Sequence, residues 1–401
     1  MNTPPDIIIA GAGPVGLTAA ALLARRGLTA VVVEERDALD MEPKASTFHA
    51  PTLELLDWLD VAQPLISKGL IADRYQNRDR SRGVIADFDF AALKDDTPYP
   101  YRLQCEQQRL SELLLEQLAD SESVEVHYGT KLTSFDANEN GVTATVTTAG
   151  GEHRIEGRYL LGTDGASSTV REELEVEFPG TTYVDRYLVF LTDFPFEDHL
   201  EDLCLVNYIS DPEEFVVLLR APEAWRVLFR ADESMTEEEA YDPELAQRRL
   251  NGVVPRDEPY RILHTQLYRI HQRVAEGFRW GRVLLLGDAA HINSPIGGMG
   301  MNNGIHDAFD LARTLPGVLR GELPDADLDD WAVRRESIAR EYVQIITDRN
   351  AKALGERDES TRRAHQQELA EIANDPARSR EWLLSSSMIK AVREQSLLPY
   401  R

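Results

Sequence analysis

Cysteine is nearly absent from this sequence: Cys105 and Cys204 are the only two in 401 residues. Two thiols cannot build a disulfide framework, which excludes a small secreted scaffold and fits a reducing cytoplasm. Lysine is scarce as well, at six against 37 arginines. No apolar run reaches the ~18–20 residues that a membrane-spanning helix needs. The opening Met1–Asp6 lacks the basic stretch of a secretory signal. Positive charge is in deficit, with 43 Lys and Arg against 69 Asp and Glu, a net −26. Nucleic acid and anionic membrane both repel such a polyanion, so neither is expected as a partner. Internal repeats and low-complexity tracts are missing too. What is present is 42% hydrophobic, enough for a sizeable core. At ~150 residues per domain the length suggests two or three structural units. The expectation is a cytoplasmic globular protein.

The most informative segment comes first. Asp6–Ala10 is a short β-branched run, the mark of a strand buried on both faces. Gly11-Ala12-Gly13-Pro14-Val15-Gly16 follows, then a helix over Leu17–Arg26 closed by Gly27, then a second strand, Ala30–Val33, ending on Glu34. This is a strand–turn–helix–strand unit with the glycine spacing of a dinucleotide fold. The first glycine permits the turn, the second admits a pyrophosphate, and the third lets helix and strand pack closely. The helix start supplies free N–H groups for phosphate, and Glu34 is placed to accept ribose hydroxyls.

Helices are expected over Thr52–Leu59 and Gln108–Leu118, and strands over Val124–Tyr128, Val142–Thr148 and His153–Leu161. Between Val184 and Ile270 several further β-like runs surround a helical stretch, Thr236–Leu250. Arg282–Leu286 then resumes a buried strand, and charged helical patterns fill the chain from Asp329 onward.

Two more segments follow strands: Gly162-Thr163-Asp164-Gly165, and Gly287-Asp288-Ala289-Ala290-His291 running into Pro295–Asn302. With the N-terminal glycines, the set resembles the fingerprints of the group A flavin monooxygenases, the family of para-hydroxybenzoate hydroxylase and phenol hydroxylase, over residues 6 to about 345. Arg269–Arg273 resembles its phenolic branch, which includes the para-nitrophenol monooxygenases. The resemblance implies an α/β fold: a discontinuous Rossmann-like FAD-binding domain (1–77, 102–180 and 275–330), an inserted β-sheet substrate domain (78–101 and 181–274) and a C-terminal helical region (331–401).

It also implies FAD as cofactor and NAD(P)H as electron donor. Gly11, Gly13 and Gly16, with Pro14 and Val15 between them, match the pyrophosphate turn. Glu34, followed by Glu35 and Arg36, matches the ribose ligand. Lys44 and Ala45 match the segment beside the adenosine and pyrophosphate, Lys44 standing where the family usually has arginine. Gln107 and Asp164 match further cofactor contacts, and Gly287 and Asp288 match the ribityl segment. Pro295, Gly298, Gly300, Met301 and Asn302 match the loop beside the isoalloxazine, with Ser294 where the family often has a second proline. The implied activity is hydroxylation of a phenolic or related activated ring through a flavin C4a-hydroperoxide. Expected partners are a small aromatic substrate and molecular oxygen, with a homodimer left open.

The substrate-activating group is less marked. Arg226 stands where the family often places an arginine facing the flavin, while Tyr208 and His264 carry polar tips on expected strands. No counterpart of a carboxylate-gripping arginine is evident, which favours a neutral phenol unless Arg220 points inward. No metal is expected, since His291 has no partner ligands at metal spacing. Other readings are a flavin dehydrogenase or reductase, and a non-catalytic flavoprotein that holds an aromatic ligand. Cys105 and Cys204 are too far apart in sequence for the redox pair of a disulfide reductase.

Overall fold

The computed structural model describes residues 4–400. Ile7–Ala10 (β1) and Ala30–Val33 (β2) are buried along their whole length, as apolar β-branched runs require. Between them, Pro14–Arg25 (α1) starts earlier than the expected Leu17. Pro14 sits in its first turn, where a missing N–H breaks no hydrogen bond. Gly11 turns the chain at φ +102°, a conformation L side chains rarely adopt, and donates its N–H to the Val33 carbonyl at 2.8 Å.

β1 pairs in parallel with β2 on one side and with Tyr159–Gly162 on the other. Val124–His127 and Val283–Leu285 extend the parallel array, and Arg279–Trp280 closes one edge antiparallel, giving a six-stranded sheet. Its strands thus come from both sides of a long excursion of the chain. That excursion supplies most of an eight-stranded sheet, whose two long strands, Gly180–Thr192 and Ile262–Val274, lie side by side. Arg74–Asp79 and Gly83–Asp89 join the same sheet from earlier in the chain. The strand Arg74–Asp79 therefore runs through the boundary expected after residue 77, and the helix Asp327–Ile338 runs through the one expected after 330.

Two expected elements are divided. His153–Leu161 is two strands, Gly151–Gly157 in a three-stranded antiparallel sheet and Tyr159–Gly162 in the parallel one. Thr236–Leu250 is two helices, Glu237–Ala240 and Pro243–Val253, because Asp242 caps the second and Pro243 cannot continue the first. In the C-terminal helices, Leu383, Leu384, Ile389 and Val392 bury into the core that holds Ile7–Ile9. Among the described residues no helix is long and apolar enough to cross a membrane. Both cysteines are free and buried; desolvation pushes the Cys105 thiol up to about 12 and that of Cys204 up to about 11.

Candidate active site

A cavity of about 560 Å³ opens at the C-terminal ends of β1 and β2 and extends to the face of the eight-stranded sheet. It is lined by Gly11, Gly13, Pro14 and Val15 from the first turn, and by Glu34, Glu35 and Arg36 after β2. Lys44, Ala45, Gln107, Asp164 and Asp288 complete one end, and Pro295, Gly298, Gly300 and Met301 the middle. Residues far apart in sequence thus meet at strand ends, where α/β sheets bind ligands.

The glycines divide by role. A Cβ at Gly13 would meet nothing within 4 Å, so the backbone there borders open space. At Gly16 a Cβ would lie 2.1 Å from the Gly11 carbonyl oxygen, so this glycine serves helix–turn packing and does not line the cavity. Gly287 likewise packs on Val15 instead of lining it. One prediction follows from the contrast. Gly13→Ala should leave the apo-protein's thermal transition within a few degrees while weakening FAD at least tenfold, since only a ligand would meet the new methyl. Gly16→Ala should lower the apo transition itself. Differential scanning calorimetry and titration of deflavinated protein separate the two.

Glu34 is buried, and its carboxylate accepts from Ala12 N at 2.9 Å and Arg36 N at 3.1 Å. It therefore braces the glycine turn as well as facing the cavity. Lys44 is tied to Asp40 at 2.5 Å, and Gln107 accepts from Ala45 N at 3.2 Å. Asp164 accepts from Ser168 Oγ at 2.5 Å and Val170 N at 3.1 Å, so it also organises the following helix start. Burial holds its carboxyl above the ordinary range. Asp288 is open to the cavity yet enclosed, and desolvation pushes its carboxyl up against the pull of His291 and Lys44. Among the described residues it has no hydrogen-bond partner, leaving both oxygens available to a ligand hydroxyl.

The Pro295–Met301 loop is fixed from behind. Asn302, expected beside the cofactor, is turned into the protein: its Oδ1 accepts from His49 N and Thr52 Oγ1, and its Nδ2 donates to the Thr47 and Gly298 carbonyls. His49 donates from Nε2 to the Gly297 carbonyl at 2.9 Å, and burial, with the Arg102 charge, takes its pKa down to about 3. Asn302 is thus a clamp on the loop, because a buried amide must satisfy all its polar atoms within the protein.

On the sheet side the lining is apolar (Leu191, Val217, Leu219 and Leu228) with Gln266 and Tyr268. Tyr208 lines this part, but its hydroxyl accepts from Arg102 Nη1 at 3.3 Å. His264 does not reach the cavity; it lies opposite Leu191, on the strand that brings Gln266 and Tyr268 inward. Arg220 gives its Nη1 to the Ala221 carbonyl and is absent from the lining. Arg226 does line the cavity, with its guanidinium forked onto the Glu106 carboxylate and a third bond to the Lys44 carbonyl. Sequence reasoning missed Glu106, Gln266 and Tyr268; the period-two alternation through 264, 266 and 268 held a signal for the last two. His291 binds Asp307 at 2.7 Å, and among the described residues no group of side chains is arranged to hold a metal.

Comparison with known proteins agrees with this geometry. The family described as "FAD binding domain" matches residues 5–345. A para-nitrophenol 4-monooxygenase from Pseudomonas sp. (strain WBC-3) is 31% identical over 388 residues, 96% of each chain. The crystal structure of a p-nitrophenol 4-monooxygenase from Pseudomonas putida DLL-E4 superposes with a TM-score of 0.92 at 28% identity, covering 100% of both chains. An aklavinone-11 hydroxylase solved with FAD and aklavinone gives a TM-score of 0.79 at 28% identity over 88% of this chain and 70% of that one. The chain belongs to the FAD-binding-domain family and has the fold of the FAD-dependent aromatic hydroxylases.

Proposed function

We propose that this protein is an NAD(P)H-dependent FAD monooxygenase that hydroxylates a phenolic or related activated aromatic ring. The observation that carries the reading is the single cavity joining the glycine turn, the Asp288 carboxylate and the Pro295–Met301 loop to an apolar sheet face. The open space at Gly13 and the unpartnered Asp288 fit FAD, whose pyrophosphate and ribityl chain need a bare backbone and a hydroxyl acceptor.

When bound, FAD supplies the electron transfer from NAD(P)H and the activation of oxygen. The chain's residues bind, orient and exclude water. Glu34 would hold the ribose hydroxyls of bound FAD, and Asp288 would accept from its ribityl chain. The start of helix Gly300–Leu319 aims N–H dipoles across the loop, favouring negative charge in its neighbourhood. Leu191, Val217 and Leu228 form a dry wall for a ring, on which Gln266 and Tyr268 are the polar groups placed to orient a ring hydroxyl.

Isotope labelling under ¹⁸O₂ tests the reading. One labelled oxygen per product ring, with NAD(P)H consumption stimulated by the phenol, is the expected result. A dehydrogenase or reductase would oxidise NAD(P)H without labelling the product, and a binding protein would consume none.

A further inference from the structure

The side chains around the main cavity offer no spare positive charge to a pyrophosphate. Five carboxylates and four cationic groups line it. Each of the four is already ion-paired: Arg36 with Glu34 and Asp40, Lys44 with Asp40 at 2.5 Å, Lys131 with Glu35 at 3.3 Å and Arg226 with Glu106. Lys44, matched by resemblance to the segment beside the pyrophosphate, is thus committed to Asp40. A dianion in this cleft has to be met by neutral donors and backbone dipoles.

Two helix starts border the cavity. One is that of α1, whose Pro14 and Val15 line it, and the other is that of the helix Gln107–Ala119, whose Gln107 and Gln108 do. The two helices pack side by side. The second start has no side-chain cap, because Glu106 at the N-cap turns its carboxylate to Arg226. Among the described residues the Gln108 N–H finds no acceptor. The buried stripe of this helix includes Gln108, Ser111, Leu114 and Leu118. A stripe packed only on protein would be apolar throughout, whereas this one is polar where it reaches the cavity. Gln108 is 7% exposed and Ser111 2%, and both line the cavity. Neither the Gln108 amide nor the Ser111 hydroxyl has a hydrogen-bond partner among the described residues. Buried polar groups are nearly always paired, so two idle ones on a cavity wall point to a ligand.

We propose that the FAD pyrophosphate is held by a neutral cradle, with the start of α1 on one side and the Gln107 helix start, Gln108 and Ser111 on the other, and not by Lys44. The proposal rests on FAD as the cofactor of this cavity. The Gln108 amide and the Ser111 hydroxyl donate to phosphate oxygens, and the Gln108 backbone N–H adds a donor at the positive end of a helix dipole. Gly13, where a Cβ would meet nothing within 4 Å, leaves room for the phosphates beside the first helix start. Groups that stay unpaired in the empty protein and pair only on binding favour the loaded form over the empty one.

The test is titration of deflavinated protein carrying Gln108→Leu and Ser111→Ala together, with FAD, FMN and ADP as ligands. FMN and ADP share the phosphate but neither the ring nor the sugar. The double variant should bind all three about tenfold or more weakly, in line with hydrogen bonds to a charged group. Its apo thermal transition should stay level or rise, because the variant loses buried polar groups that nothing in the empty protein satisfies. Ser111→Ala alone should show the same signs with a smaller loss, and it decides the matter if the double variant fails to fold. FAD binding within about twofold of wild type overturns the proposal. A loss confined to ADP or to FMN moves the contact to the nucleoside or to the flavin end and overturns it likewise. An apo transition that falls makes Gln108 and Ser111 packing residues, which also overturns it. If the wild-type protein binds no FAD, the cofactor reading falls and takes the proposal with it.

Discussion

Asp307→Ala is expected to cost about 3–5 kcal/mol of stability, the range for breaking a buried ion pair on one side. Asp307 is fully buried on the long helix Gly300–Leu319 and serves three donors at once. Oδ1 accepts from Arg335 Nε at 2.6 Å, and Oδ2 accepts from His291 Nε2 at 2.7 Å and from Gly287 N at 3.0 Å. Truncation strands Arg335, itself fully buried, with the neutral acceptors Asn303 and Gln395 only. Desolvation works against ionising Asp307, yet His291 and Arg335 outweigh it and hold the carboxyl below its usual range. A depressed folded value means the contribution is complete above the unfolded value near pH 4 and is lost as pH falls further. Urea denaturation at pH 7 should therefore show the full deficit, and Asp307→Asn, which keeps an acceptor, a smaller one. Because Gly287 N precedes Asp288, the alanine variant should also purify with less flavin. A loss below about 1 kcal/mol would show that the triad is replaceable packing.

The Asp307 cluster also marks where reading by sequence stops. β1, α1 and β2 were legible because their constraints are local: a fully buried strand has no polar positions, and the turn between them demands glycines at fixed offsets. The Gly287-Asp288 and Pro295–Met301 segments were legible for the same reason. Arg74–Asp79 was not, because its buried Gln76 and Arg78 show no apolar alternation and are satisfied by distant partners such as Asp202. The division of His153–Leu161 is marked locally only by Gly157-Arg158, and that its two halves join different sheets depends on tertiary pairing. Asn302 looked like a cofactor contact from its motif. Its partners His49 and Thr52 lie some 250 residues away in sequence, so only the folded chain reveals the clamp. Tyr208 and Arg226 were placed at the cavity, yet their engagement with Arg102 and Glu106 depends on tertiary contacts that no local pattern encodes.

Arg226→Met is expected to have an effect comparable to that of Asp307→Ala, about 3–5 kcal/mol near neutral pH. The guanidinium projects from the strand Trp225–Ala231 and grips Glu106, just before helix Gln107–Ala119, and the Lys44 carbonyl. It thereby ties the eight-stranded sheet to the two segments that border the cofactor end of the cavity. Both side chains are largely buried, and desolvation already pushes the Glu106 carboxyl up against the pull of Arg226. Without the arginine that rise must grow, so the folded variant binds a proton more tightly than the unfolded chain does. The stability deficit should then shrink as pH falls below the folded value and be largest above it, the same direction in which the Asp307→Ala deficit changes, but over the higher pH range set by the raised Glu106 carboxyl. Arg226→Met with Glu106→Leu removes both charges, and the double variant should recover most of the stability, since an apolar pair of similar volume replaces buried ions at little cost. Turnover separates a strut from a cofactor contact. If Arg226 only braces the sheet, the double variant regains kcat along with stability. If its place on the cavity wall also matters to the flavin, stability returns while kcat stays low. A double variant as unstable as Arg226→Met alone would remove the ion pair from the account of how the sheet is held over the cleft.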